Sequence, residues 1–226
     1  MLPVIGKGHQ WIAIQKPAGM TVEKGSQAYD TVESLLRAHW PSRAFVGFPH
    51  RLDRPTSGIL LVARNKSTLR ALNQQFAAGQ VQKHYLMLTQ KTDLPQAQTL
   101  THWLQKDRKQ RRASITDQST LGAKEARLWF RHLQVTPQQH TLLQVRLFTG
   151  RYHQIRAQMA HVGAPVLNDT PYGSEKLSPE PCIALHAWRI QFADPKTGKT
   201  IYLEAPLPQN PCWPASWQGK RLEEIS

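Results

Sequence analysis

Residues Gly58–Ala63 read GILLVA, a short β-prone run with no polar face. A strand of this kind must be covered on both sides, so it belongs at the centre of a sheet and not at an edge. The residues just before it are opposite in character: between Phe48 and Gly58 the chain packs His50, Arg51, Asp53, Arg54, Thr56 and Ser57 into a turn. A polar turn feeding a rigid buried strand is a place where a scaffold can hold a reactive side chain at a cleft. Asp53 could act there as nucleophile or base. It could equally do no more than bond loop amides, as aspartate often does in turns.

The remaining patterns describe an α+β chain. Alternation over Gln10–Gln15 reads as a strand entering the turn Lys16-Pro17-Ala18-Gly19, and Thr31–Trp40 as a short helix turning Val32, Leu35 and Leu36 inward. Asn65 or Ser67 can cap a helix over Thr68–Ala78, where Leu69, Leu72 and Phe76 recur at helical spacing and Gly79 stops the chain. Strand-like segments follow at Val81–Thr89, Thr99–Gln105, Ala123–Val135, Thr141–Phe148, Ile183–Phe192 and Thr200–Glu204. A helix over about His153–Val162 interrupts them, with Ile155, Met159 and Val162 on one face and Gly163 then Pro165 as its stop.

No internal repeat or low-complexity linker divides the chain, so one domain is expected over 1–226, with a core at about 10–205 and an irregular strap at about 206–226. The expected class is α+β: a large mixed, mainly antiparallel sheet, a few flanking helices and a central cleft. Trp11, Trp103, Trp129 and Trp188 fall in strand patterns and are expected in the core.

Charge narrows the partners. With 29 Lys+Arg against 15 Asp+Glu the net charge is +14, yet 40% of residues are hydrophobic and 19% charged, which is a foldable domain and not a polycationic tail. A folded domain this basic needs a polyanionic partner, because each neutralised phosphate releases a counterion; nucleic acid comes first and an anionic membrane surface second. No stretch approaches the roughly 20 apolar residues of a membrane span, and the N-terminus lacks a secretory core, so a cytoplasmic protein is expected. Cys182 and Cys212 form neither a CxxC pair nor part of a histidine cluster, so buried reduced thiols are expected, with no disulfide framework and no metal site.

A second dense stretch runs from Thr149 to Asp169. On its helix His153 and Arg156, three apart, project together beside the apolar face; on position alone, an arginine there is more commonly a solvated surface residue.

His50-Arg51-Leu52-Asp53 with Thr56-Ser57-Gly58, and Gly150-Arg151-Tyr152-His153-Gln154-Ile155-Arg156 with Gly163-Ala164-Pro165 and Asp169 to Tyr172-Gly173, resemble the signature motifs of the RluA family of RNA pseudouridine synthases. Lys16-Pro17-Ala18-Gly19-Met20 and Lys83-His84-Tyr85 fit the same family in the same order, and the resemblance spans about residues 10 to 205. The chain departs from the pattern at Tyr152, where Thr or Ser is usual, at Ala157-Gln158 in place of Val-His, and at Asn168 in place of Gly. These departures bear on loop geometry and substrate preference. The S4 domain that many members carry at the N-terminus has no room before Lys16, so selection of substrate is expected from the catalytic domain itself.

The resemblance implies isomerisation of uridine to pseudouridine within RNA, tRNA or rRNA, without metal or organic cofactor. It makes Asp53 the essential aspartate, attacking C1′ or taking the C2′ proton, and Arg156 the arginine that pairs with it. Two such charges about 4 Å apart attract by about 4 kcal/mol at an effective dielectric of about 20, before desolvation. It makes Tyr85 the tyrosine that stacks on the base and can take the C5 proton, and Arg51 the residue that fills the space of the flipped nucleotide. His50, Thr56, Ser57, Gly58, Gly150, Arg151, His153 and Gln154 support these motifs.

The run Lys106-Asp107-Arg108-Lys109-Gln110-Arg111-Arg112 carries five cations. Such a run is usually a solvated loop, but in an RNA enzyme of charge +14 it is expected to contact the RNA backbone. No membrane and no obligatory protein partner is expected, and the chain should act as a monomer. Two other classes deserve comparison: an RNA-binding or RNA-remodelling protein on the same fold, disfavoured by the intact set Asp53, Tyr85 and Arg156, and a glycoside hydrolase. The latter needs two carboxyl groups across the bond, and the only motif-like second candidate is Asp169.

Overall fold

The computed structural model describes residues 2–24, 30–41 and 43–225. It contains strands β1 (Val4–Lys7), β2 (Trp11–Lys16), β3 (Ser57–Ala63), β4 (Gln82–Thr89), β5 (Ala97–Asp107), β6 (Arg112–Thr116), β7 (Lys124–Val135), β8 (Thr141–Leu147), β9 (Leu185–Ala193) and β10 (Thr200–Glu204), with helices α1 (Val32–His39), α2 (Lys66–Ala77) and α3 (Gln154–His161). The class is α+β with a mixed, mainly antiparallel sheet. Contacts group the chain into two compact units, one of residues 1–83, 180–182 and 186–226, the other of 84–179 and 183–185.

In the first unit the strand order is β1-β2-β3-β9, with β10 on β9. β3 pairs antiparallel with β2 from Trp11↔Ala63 to Lys16↔Gly58, and parallel with β9 at Ser57↔His186 and Gly58↔Ala187. Every residue of β3 is buried, and alternate side chains enter two separate cores. Ile59, Leu61 and Ala63 pack with Trp11, Ala13 and Leu72 of α2, while Leu60 and Val62 pack with Ile14, Val32 and Leu36 of α1. The doubly apolar run is thus satisfied by a helix layer on each face.

Both helices begin where the sequence supplies a cap. The Thr31 hydroxyl accepts from Ser34 N and the Asn65 carboxamide from Thr68 N, each satisfying an amide that the first turn leaves open. Of the two caps open for α2, the structure selects Asn65. Cys182 and Cys212, expected as buried thiols, are buried with their Sγ atoms 2.6 Å apart. Leu207, Trp213 and Trp217 of the C-terminal segment are also buried.

In the second unit the order is β4-β8-β7-β5-β6, and α3 lies on one face. Ala157 packs against Leu104, Ala113 and Ala126 there, and the Gln158 amide donates to the carbonyls of Leu100 (3.3 Å) and Ala126 (3.1 Å). Two strands, β1 and β6, have no counterpart in the sequence reading. β1 is too short to show a period, and β6 alternates over only five residues beside the basic run; β6 forms because Arg112–Thr116 pairs with Trp103–Asp107 across a tight turn. Trp11 and Trp188 are core residues at 3% and 1% exposure. Trp103 and Trp129, expected there too, are only half-buried, because their strand positions place them on the face that α3 leaves uncovered.

Candidate active site

The turn that carries Asp53 is braced by the loop that follows β2. Lys16 is fully buried, and its ammonium donates to the carbonyls of Pro17 (2.8 Å), Met20 (2.7 Å) and Arg54 (3.2 Å). Gly19 completes the clamp, its amide donating to the Arg54 carbonyl at 2.8 Å and its carbonyl accepting from Arg54 Nε at 2.9 Å. Its φ of +83° and the approach of Pro181 to within 2.9 Å of a Cβ placed there reserve the position for glycine.

Inside the turn Thr56 N donates to the Asp53 carbonyl at 3.1 Å, and Asp53 is left half-buried. Burial pushes the Lys16 ammonium down to about 7 while the Asp53 carboxylate pulls it back up.

The motif residues around Asp53 divide by task. His50 Nε2 accepts from Leu61 N at 3.0 Å and its ring stacks on Phe76 at 5.0 Å. It thereby satisfies an amide of β3 beyond the two residues that β9 pairs. Burial first, and Lys83 second, push this imidazole down to about 3. Ser57 Oγ lies 2.8 Å from His186 Nδ1, and Gly58 packs on the Ala187 backbone. The Thr56 hydroxyl is buried without a hydrogen-bond partner. Arg51 is the exposed member, its side chain 76% accessible and reaching Glu23 only at 3.4 Å.

In the second unit Arg156 is the centre of a buried network. Its guanidinium grips Asp169 with both oxygens, Nε to Oδ2 at 2.7 Å and Nη2 to Oδ1 at 2.8 Å, and Asp169 has no exposure at all. Nη1 donates to His153 Nε2 at 2.9 Å, so the imidazole proton sits on Nδ1 and points to the Tyr172 hydroxyl at 3.0 Å. Tyr172 Oη in turn accepts from Ala113 N at 2.8 Å, and its ring lies 4.8 Å from the Arg156 carbon. The solvated arginine that helix position favours is not what forms: Arg156 is 4% exposed.

The approach to α3 is shaped by the same motif. Gln154 Oε1 accepts from Thr149 Oγ1 (2.8 Å) and Arg151 N (2.9 Å), while its amide donates to the Arg127 carbonyl at 3.1 Å. Arg151 Nε donates to the Glu125 carbonyl at 2.8 Å. His153 takes a left-handed φ of 51°, and Gly150 leads into this turn.

Tyr85, on β4, is 8% exposed. Lys106 to Arg112 runs from the end of β5 through the β5–β6 turn into β6, the turn built on Asp107 Oδ1 accepting from Lys109 N (2.8 Å) and Gln110 N (2.9 Å). Arg108, Lys109, Arg111 and Arg112 are exposed there. Tyr152, the departure from the family pattern, is tied to this turn: its hydroxyl donates to the Arg111 carbonyl at 3.1 Å and Lys106 Nζ lies 4.3 Å from its ring centre.

A family model described as RNA pseudouridylate synthase matches residues 10–161, more than half of the chain. The chain belongs to the RNA pseudouridylate synthase family. Among its curated relatives is the ribosomal large subunit pseudouridine synthase C of Pasteurella multocida (strain Pm70), 34% identical over 202 residues, 87% of this chain and 61% of the relative. The protein of the same name from Yersinia pestis is 34% identical over 202 residues, 87% and 62% respectively. The chain therefore spans about three fifths of the length of these relatives.

The solved structure of human RNA pseudouridylate synthase domain containing 1 shares the fold, with a TM-score of 0.76 at 22% identity over 100% of this chain and 93% of that one. Human RNA pseudouridylate synthase domain containing 4 follows, at 0.73 and 19% identity over 92% and 89%.

For this pseudouridylate synthase family member the sequence reading missed two side chains that position others. Lys16 was noted only as part of a motif; the signal for its role was a lysine ending a strand that must be buried. Asp169 stands in the sequence only as a motif residue and a second carboxyl candidate; in the fold its carboxylate carries Arg156. A lone acidic residue 13 positions from a motif arginine gives no sign of that pairing until the chain folds back at Gly163.

Proposed function

We propose that this chain isomerises uridine to pseudouridine in RNA, and that its substrate is ribosomal RNA. The observation that carries the reading is the Asp53 turn: a partly exposed carboxylate on a loop clamped to buried strands through Lys16, Gly19 and Arg54, at the position of the family's essential aspartate. The choice of ribosomal RNA rests on the names of the relatives. In the reaction the N1–C1′ bond breaks, the uracil turns, a C5–C1′ bond forms, the C5 proton leaves and N1 gains one, so the base is isomerised without a co-reactant.

Asp53 supplies the oxygen, as nucleophile at C1′ or as base toward the C2′ proton; both routes need it ionised and closely held. Arg156, locked by Asp169, supplies a fixed cation. Tyr85 stacks on the base and accepts the C5 proton. Arg51, exposed on the turn with only a 3.4 Å contact to Glu23, takes the place of the flipped nucleotide, offsetting an unstacking cost of a few kcal/mol. The Lys106–Arg112 turn holds the RNA backbone, and the chain acts as one catalytic domain and as a monomer.

Release of tritium from 5-tritiated uridine in unmodified ribosomal RNA tests this. The chain is expected to release it and Asp53→Asn, nearly isosteric, to lose more than about 100-fold in rate. Activity of Asp53→Asn within tenfold of wild type removes Asp53 from the chemistry.

A further inference from the structure

The second unit has a sheet face that α3 does not cover, and that face carries arginines and aromatic rings. Strand side chains alternate, so on β7 the buried Ala126, Leu128 and Phe130 point one way, toward α3, and Arg127, Trp129 and Arg131 the other. Across the β7–β8 ladder Trp129 faces Arg146 and Arg131 faces Gln144. Together with His84 and Phe148 these residues line a cavity of about 360 Å³. His84 directly precedes Tyr85 on β4, so the two point to opposite faces and this cavity lies behind the sheet from Tyr85.

The cations here are arranged and unneutralised. Arg131 Nε donates to Gln144 Oε1 at 2.7 Å, and Gln144, itself 7% exposed, is fixed by His84 Nδ1 at 3.0 Å. Arg127 and Arg146 both lie over the Phe148 ring, at 4.6 and 5.1 Å. Among the described residues none of the three arginines makes an ion pair, and no carboxylate lines the cavity. Glu125, farther along the same face, pairs with none of them. Arg127, Trp129 and Arg131 repeat about every 6.7 Å along the strand. Guanidinium groups beside half-exposed aromatic rings suit phosphates and bases together, whereas an acidic peptide would leave the rings unused.

From this geometry we infer that Arg127, Arg131 and Arg146, with Trp129 and Phe148, form a second RNA-binding surface that takes single-stranded RNA on the sheet face opposite Tyr85. The inference rests on the reading of RNA as substrate and extends it to a surface that includes none of the candidate catalytic residues.

The test uses the full chain and a labelled 20-nucleotide oligouridylate, with affinity read by fluorescence anisotropy across salt concentrations. Replacing Arg127, Arg131 and Arg146 together by Gln should flatten the slope of log affinity against log salt by about 2, at about 0.7 per phosphate contact on a single strand. Replacing the same three by Lys should keep the slope, which separates lost charge from lost fold. Oligouridylate should also quench tryptophan emission in wild type, and less in Trp129→Phe.

Parallel salt lines for wild type and the Gln variant overturn the inference. So does polyglutamate competing as well as the oligonucleotide at equal charge. Tritium release by wild type from ribosomal RNA is scored separately: if it is absent while the slope still flattens, the catalytic reading falls and this surface stands.

Discussion

At the scale of the residue, Arg156 illustrates how one side chain can be needed for both stability and reaction. Asp169 has no exposure and spends both carboxylate oxygens on this arginine. Removing one partner of a buried pair costs about 3–5 kcal/mol, because the other charge stays buried and uncompensated. Arg156→Met is therefore expected to lower stability in urea titrations as well as the single-turnover rate. The two effects separate in Arg156→Met/Asp169→Leu, where Asp169 is no longer a buried uncompensated charge: most of the stability should return while tritium release stays low. Recovery of release in the double variant would make the arginine a purely structural group. Tyr85→Phe keeps the ring and loses the hydroxyl, so it should bind RNA normally and stall during turnover. Unchanged turnover leaves stacking as the role of Tyr85.

At the scale of the element, β3 is held by contacts that tolerate little change. Gly58 has φ +115°, and a Cβ there would meet the Ala187 carbonyl oxygen at 2.3 Å, where the parallel pairing with β9 begins. Gly58→Ala should cost at least about 1–3 kcal/mol from backbone strain alone, read as a lower melting temperature; an unchanged one would mean that β9 can move aside.

Two buried histidines flank the same strand, His50 bonded to Leu61 N and His186 beside Ser57. Burial, chiefly, pushes both from 6.5 to about 3. Between these values the unfolded chain binds protons that the folded one refuses, so stability is full above pH 6.5 and falls as pH drops toward 3. The slope should approach about 1.4 kcal/mol per pH unit for each histidine. Urea midpoints at pH 7, 5 and 4 test this, and a flat profile would mean that both imidazoles take up protons in the folded state.

At the scale of the whole molecule, a net charge of +14 suits the proposed RNA partner, and the number of phosphates its cations neutralise would set how strongly binding depends on salt. The β5–β6 turn concentrates part of that charge, with Arg108, Lys109, Arg111 and Arg112 exposed around an Asp107-based turn. Replacing these four by Gln, with about two to three of them on phosphates, should flatten the salt dependence of RNA affinity by about 1.5 to 2.5. Contacts of this kind act on bound substrate and transition state alike, so the loss belongs to affinity. Parallel salt titrations of wild type and variant would assign the turn to solvent. No helix among the described residues is long and apolar enough to cross a membrane.

Local chemistry alone made much of this protein legible. GILLVA could only be a strand covered on both faces, Asn65 could cap the helix it precedes, and the long motifs around Asp53 and Arg156 identified the family, because each signal is complete within a few neighbouring residues. Tertiary structure decided what depends on distant partners. It buried Arg156 against Asp169, placed Lys16 beneath the Asp53 turn, made a strand of Arg112–Thr116 by giving it β5 to pair with, and brought Cys182 to Cys212. It also left Trp103 and Trp129 half-exposed, since alternation along a strand marks two faces but cannot say which one a helix will cover.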